Sequence, residues 1–204
     1  MSTATLWRLA GLSALLGGAL YVLFDALSIW DVGGIPPEDV ARFGILAISS
    51  ALSLGGLIGV YGIQSRESGA LGLIGFVAAF VGALLSFGVG WGGVMIVPEI
   101  LDTPFVRDGP TRDLAIWVLG IRLPLTAIGF LVLAIATLRA QVLSRAGAWI
   151  MLVGALLGAL NTLGILALPG PLRGPALGGT GFAWLGLSVM RIAGVRPAAG
   201  RQRV

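Results

Sequence analysis

Apolar residues are gathered along the chain into six runs of about twenty residues or more, separated by short stretches that carry most of the charges. The runs cover residues 6–30, 43–63, 70–97, 114–138, 147–168 and 174–192. A helix needs about 20 consecutive apolar residues to cross the hydrocarbon core of a bilayer. The strict alternation of apolar and polar residues that is typical of outer-membrane barrel strands is missing from these runs. The pattern predicts an all-α, polytopic transmembrane bundle of six helices over residues 1–193, followed by a flexible basic tail over residues 194–204.

Composition agrees with this interpretation. Hydrophobic residues make up 57% of the 204 positions and charged residues only 11%, with a mean hydropathy of +1.00. A soluble domain carries about 25% charged residues. The sequence therefore predicts an integral membrane protein whose main surroundings are lipids.

The arginines are divided unequally between the two ends of the predicted helices. Eight belong to the amino end, the turns over 64–69 and 139–146, and the tail: Arg8, Arg66, Arg139, Arg145, Arg191, Arg196, Arg201 and Arg203. The loops on the other side hold only four: Arg42, Arg107, Arg112 and Arg173. Because basic residues favour cytoplasmic loops, the imbalance predicts that both termini are cytoplasmic.

The chain contains no histidine, cysteine or lysine. It therefore lacks an imidazole base, a thiolate nucleophile and a Schiff-base amine. No acidic spacing resembles a calcium or two-metal site, so neither a metal nor a cofactor is predicted. No folded basic face is available for nucleic acid. An enzymatic function is accordingly not expected.

Two charged residues lie inside predicted helices. Arg122 falls within the fourth run, two residues before Pro124, and Asp25 falls within the first run, five residues before its end. A charge at membrane depth is costly unless it is paired or faces a polar interior. Both positions belong to the outer half of the membrane, so we expect Asp25 and Arg122 to form an ion pair if the first and fourth helices are neighbours.

Several uncharged polar residues lie at a similar depth. Tyr21 and Ser28 share a helix face with Asp25, whereas Thr126 is one turn from Arg122 and Asn161 lies in the fifth run. Ser49 and Ser53 share a face of the second helix. Two interpretations stay open: the ion pair fixes the helix register, or these residues line a polar pocket. Under the second interpretation the candidate ligand-binding residues are Arg122, Asp25, Asn161, Tyr21, Ser28 and Thr126, with Glu99 and Asp102 as acids at the outer mouth.

Small residues form stripes on two of the predicted helices. One stripe on the third helix comprises Gly75, Ala79, Gly82, Ser86 and Gly90, and one on the fifth comprises Gly147, Gly154 and Gly158. Such stripes let helix backbones approach closely. They predict tight packing inside the bundle, with a homo-oligomer or a larger membrane complex as the alternative.

The amino-terminal pattern also carries a resemblance. Residues 8–12 (Arg-Leu-Ala-Gly-Leu) are followed by residues 17–21 (Gly-Gly-Ala-Leu-Tyr), and the third run starts with Gly-Ala-Leu-Gly at 69–72 and ends at Pro98. This combination resembles small bacterial multi-pass proteins that are grouped as a domain of unknown function. The resemblance implies a six-helix inner-membrane protein and brings no catalytic residues with it.

These observations favour three functions in decreasing order. The first is a non-enzymatic binding or accessory bundle with a polar pocket in the outer half of the membrane, where Arg122 holds an anionic group and Asp25 is its resting counter-ion. The second is a small solute or lipid transporter or channel, with the proline-containing fourth helix as its moving part. The third, an intramembrane enzyme, is disfavoured by the missing residue types.

Overall fold

The computed structural model describes residues 2–27, 37–96, 110–166 and 174–195. Five helices account for nearly all of them: α1 (Thr3–Leu27), α2 (Pro37–Ile96), α3 (Pro110–Ala140), α4 (Arg145–Thr162) and α5 (Pro175–Val195). No strand occurs within these ranges. By length and composition all five helices are able to cross a membrane. The all-α fold predicted from the sequence is confirmed, and its helices are long and apolar enough to span a membrane.

The second and third apolar runs belong to one helix that folds back on itself. In α2 the residue Gly69 leaves the helical conformation, with φ 55° and ψ −150°. The rings of Tyr61 and Phe76 stack across this point with centroids 4.7 Å apart. Along a straight helix, the same two residues would be separated by about 22 Å. We therefore distinguish a first arm, residues 37–68, from a second arm, residues 70–96, which lies antiparallel to it.

A glycine is needed at position 69 for its backbone conformation. The combination of positive φ with extended ψ is strongly unfavourable for residues that carry a Cβ. Space is not the constraint, because a Cβ built on Gly69 would meet nothing within 4 Å. The sharp reversal of α2 thus depends on one residue type at one position.

The two arms and the other four helices form a closed ring. α1 packs against the first arm and against α5, the second arm packs against α3, and α4 lies between α3 and α5. α1 and α3 therefore occupy opposite sides of the ring and are not packed side by side. The expected ion pair between Asp25 and Arg122 required these two helices to be neighbours, and they are not.

The small-residue stripes pack within the ring. A Cβ on Gly75 would meet the backbone of Leu133 in α3, and a Cβ on Gly90 would meet the backbone of Ala47 in the first arm. On α4, a Cβ on Gly154 would meet the backbone of Gly178. Glycine is required at these points because the facing backbones are too close for any side chain. A homo-oligomer stays a prediction.

One half of the ring interior is filled. We call the end of the bundle that holds Gly69 the turn end, and the opposite end, where α1 ends and α5 begins, the Asp25 end. Towards the turn end, Leu57, Val60 and Leu133 are fully buried. Gln64 donates a hydrogen bond of 2.9 Å from Nε2 to the hydroxyl of Thr137, which joins the first arm to α3. The remaining interior space therefore lies nearer the Asp25 end.

One helix ends before its predicted limit. The fifth apolar run was expected to continue as a helix to residue 168, but α4 ends at Thr162, and Gly164 in the following turn has a φ of 70°. A glycine in this conformation commonly terminates a helix. By contrast, Pro124 does not end α3, which continues through this proline to Ala140.

Candidate functional site

A cavity of about 280 Å³ lies inside the ring, and all five helices contribute to its wall. Seven polar side chains line it: Tyr21, Ser50, Ser53, Ser86, Thr126, Asn161 and Thr162. They come from α1, both arms of α2, α3 and α4. Because no helix or arm of α2 supplies more than two of them, the polar wall exists only when the ring is closed.

Apolar groups make up much of the remaining wall. Phe130 of α3 and Phe182 of α5 meet edge to face, with ring centroids 5.5 Å apart, and both line the cavity. Phe130 lies further towards the turn end than Thr126, so this aromatic pair forms the floor of the cavity. Ala83, Leu123 and Ala127 extend the apolar surface towards the Asp25 end. The cavity therefore combines scattered hydroxyl and amide groups with a largely hydrophobic lining.

The hydroxyl of Ser50 has no hydrogen-bond partner among the described residues, although Ser50 is only 1% exposed. In a helix, a serine hydroxyl usually donates to a carbonyl three or four residues earlier. The carbonyl of Leu46 already accepts from the hydroxyl of Ser49 at 3.0 Å. Ser50 is thus a buried donor on the cavity wall that has no acceptor among the described residues.

Three other hydroxyls on the wall donate within their own helices. Ser86 donates to the carbonyl of Gly82 at 2.9 Å, Thr126 to that of Arg122 at 2.8 Å, and Thr162 to that of Gly158 at 2.8 Å. Their oxygens are still able to accept a hydrogen bond. These three residues provide polarity without an unused donor, which distinguishes them from Ser50.

Arg122 lies immediately beside the cavity. Its neighbour Leu123 and the residue one turn later, Thr126, are on the wall, and its charge acts on the phenol of Tyr21, which is also on the wall. Its Nε and Nη1 atoms are buried and have no hydrogen-bond partner in the described part of the chain. A buried charged group without partners is costly. The guanidinium thus provides positive charge and unused donors next to the cavity.

Asp25 is occupied by the backbone of α5. Its carboxylate oxygen Oδ2 accepts a hydrogen bond of 3.2 Å from the N–H of Ala176, and the residue is 7% exposed. Because Pro175 has no N–H, Ala176 offers the first free donor at the start of α5. A carboxylate is favourable at a helix N-terminus, where backbone donors point outward. Asp25 therefore joins the end of α1 to the start of α5.

The structure brings together some of the residues that the sequence singled out. Tyr21, Thr126 and Asn161 line the cavity, and Asp25 and Arg122 both lie close enough to Tyr21 for their charges to act on it. Neither Nε nor Nη1 of Arg122 is hydrogen-bonded to Asp25. The direct ion pair stays a prediction. Ser28, Glu99 and Asp102 lie outside the described residues.

Sequence reasoning missed Ser50, Phe130 and Phe182. It selected Ser49 and Ser53 by their shared face, whereas the cavity is lined by Ser50 and Ser53. The phenylalanines had no signal, because an aromatic residue in an apolar run gives no indication of whether it faces lipid, core or cavity. Among the described residues, no cluster of three acidic side chains is placed to hold a metal ion.

Comparison with known proteins gives no match to a family model, to a curated protein or to a solved structure. The resemblance to a bacterial domain of unknown function therefore stays a prediction. The function must be argued from the cavity and its surroundings.

Proposed function

We propose that this chain is a multi-pass protein of the bacterial inner membrane with six crossings and both termini in the cytoplasm. Two observations support this topology. The arms of α2 are antiparallel and each is long enough to cross a bilayer, so α2 contributes two crossings. The excess of arginine in the amino end, the 64–69 and 139–146 turns and the tail then assigns the turn end to the cytoplasm.

Within that membrane, the protein is a non-enzymatic binding or accessory bundle whose cavity holds an oxyanion. The single observation that carries this proposal is the presence of unused donors beside the cavity, on Arg122 and Ser50. Arginine is especially suited to carboxylate and phosphate groups because its planar guanidinium presents several donors. An oxyanion would satisfy the donors of both residues.

Asp25 does not remove the need for such a ligand. Its carboxylate is engaged by the backbone N–H of Ala176, so its negative charge is shared with the amino end of α5. The role of Asp25 as a resting counter-ion stays a prediction, and the Nε and Nη1 donors of Arg122 are left for another acceptor.

The proposal is tested by ligand-induced stabilisation of the purified protein in nanodiscs. Acetate and inorganic phosphate should raise the Tm of the unaltered protein above that measured in chloride of equal ionic strength. Arg122→Gln should abolish the increase. Arg139→Gln removes an exposed arginine from the last turn of the same helix and is the matched control. An equal response in Arg122→Gln, or no response in any sample, would overturn the proposal.

Transport is the second candidate, and the uneven filling of the ring favours it. The cavity lies nearer the Asp25 end, whereas the turn end is closed by the Phe130–Phe182 pair and the Gln64–Thr137 hydrogen bond. A carrier with alternating access needs such a closed side, which would then have to open. Counterflow of a radiolabelled oxyanion in proteoliposomes should be observed if the protein transports it, and should be lost in Arg122→Gln.

A further inference from the structure

We infer that the ligand of this cavity is a single-chain amphiphile, with a carboxylate or phosphate head near Arg122 and an apolar body that extends to the Phe130–Phe182 floor. This inference rests on the proposed function, because it assumes that the cavity binds an oxyanion. It goes further by assigning the chemical class of the whole ligand.

The positions of the polar and apolar groups along the bundle support this assignment. The head would lie beside Arg122, Tyr21 and Ser50, which come from α3, α1 and the first arm. Phe130 lies eight residues beyond Arg122 on α3, which corresponds to about 12 Å along the helix axis. The cavity thus has a polar region and an aromatic floor that are separated by the length of a short alkyl chain.

The lining also disfavours a small hydrated anion. Inorganic phosphate or acetate bound at Arg122 would leave Leu123, Phe130 and Phe182 facing water inside the cavity. Burying this surface against an apolar chain is favourable because it removes hydrocarbon from water. A ligand that uses both parts of the wall should therefore bind more tightly than its isolated head group.

The cavity volume indicates how much of that chain the cavity would hold. A volume of about 280 Å³ corresponds to about nine water-sized units at about 30 Å³ each. Octanoate, which has about ten non-hydrogen atoms, is close to this size. A longer chain would extend beyond the cavity.

Gly178 offers a way to reduce the volume without disturbing the packing. It lines the cavity, and a Cβ built on it would meet nothing within 4 Å. Gly88 is the matched control, because it is also helical and its Cβ would also meet nothing, but it is exposed and does not belong to the cavity wall.

The test is a chain-length series measured by isothermal titration on the protein in nanodiscs, with empty nanodiscs to subtract partitioning into lipid. Affinity should increase about fourfold for each methylene from acetate to octanoate, as expected for burial of a CH₂ group. It should level off beyond that length. Gly178→Leu should weaken octanoate binding at least about tenfold, whereas Gly88→Leu should leave octanoate binding unchanged.

The outcomes separate this inference from the proposed function. If acetate and octanoate bind with equal affinity, the amphiphile is excluded and the oxyanion site stands. If no carboxylate or phosphate binds, both proposals fail. The chain-length series on the unaltered protein tests the inference even if a variant fails to fold. Two further probes distinguish a water-soluble amphiphile from a membrane lipid as the ligand. Octyl phosphate is short enough for the cavity, whereas a long-chain lysophosphatidate binds only if the site opens laterally to the membrane.

Discussion

Ser49 and Ser50 are adjacent, chemically identical and both almost completely buried, yet only Ser49 has a hydrogen-bond partner in the described part of the protein. The hydroxyl of Ser49 donates to the carbonyl of Leu46, whereas the hydroxyl of Ser50 donates to none of the described carbonyls. A helical periodicity assigns residues to faces, but it does not show which of two neighbouring hydroxyls obtains a shared acceptor. For this reason the sequence selected Ser49, whereas the structure assigns the unused donor to Ser50.

We predict opposite effects of removing the two hydroxyls. Ser50→Ala should stabilise the unliganded protein by about 1 kcal/mol, because it deletes a buried donor without a partner, and should weaken oxyanion binding. Ser49→Ala should destabilise the protein by about 0.5–1 kcal/mol, because it deletes a hydrogen bond, and should leave binding unchanged. Thermal unfolding with and without acetate measures both effects. A destabilised Ser50→Ala would show that the hydroxyl is satisfied in the folded protein.

At Asp25 we predict a loss of stability that arises mainly from its contact with α5. Asp25→Ala removes the acceptor of the Ala176 N–H and should cost about 1.5–3 kcal/mol, the range for a hydrogen bond to a charged group. Asp25→Asn keeps an acceptor oxygen and should cost less. Because Asp25 and Arg122 both act on Tyr21, a double-mutant cycle with Arg122→Gln should show a coupling energy of about 0.5–1 kcal/mol. A larger coupling energy would establish the direct ion pair that the sequence predicts.

At the scale of the helices, length and hydropathy were sufficient to predict which parts of the chain are helical. The apolar runs over 6–30 and 114–138 correspond to α1 and α3, because about twenty apolar residues leave few alternatives to a spanning helix. The reversal at Gly69 was expected only as a turn over 64–69. A single glycine was enough to fold α2, and no propensity scale separates that glycine from the many others in the chain.

The reversal gives a prediction for α2. Gly69→Ala forces a Cβ into a backbone conformation that is close to exclusive to glycine, and should destabilise the protein by about 1–3 kcal/mol. Gly88→Ala introduces the same methyl group at a helical and open position, and should stabilise by about 0.5–1 kcal/mol. Chemical unfolding in detergent measures both changes. Equal effects of the two substitutions would mean that α2 does not depend on the conformation of Gly69.

At the scale of the whole molecule, the sequence predicted which segments are helices but not which helices are neighbours. That order is set by close backbone approaches, such as Gly56 against Ala14 and Gly186 against Gly11, which join distant parts of the chain. Each approach requires a small residue on one side and an accessible backbone on the other. Glycine-rich helices satisfy the first condition at many positions, so the pairing became visible only in the structure.

The ring order is testable by cross-linking, since the chain has no cysteine of its own. A Cβ on Gly55 would lie 3.4 Å from the Cβ of Ser13, close to the spacing found in disulfides. Ser13→Cys with Gly55→Cys should therefore form an intramolecular disulfide on mild oxidation. Ser13→Cys with Gly88→Cys should not. A dimer band as the main product of the first pair would contradict the packing of α1 against the first arm.

The packing of α1 against α5 joins a helix made early in synthesis to one made much later. The glycine face of α1, which includes Gly11 and Gly18, is covered by α5, which is synthesised after the other four described helices. Until α5 has entered the bilayer, that face has no partner and Asp25 has no Ala176 to engage. A nascent chain that stops before α5 should therefore present an open groove with a carboxylate at its rim.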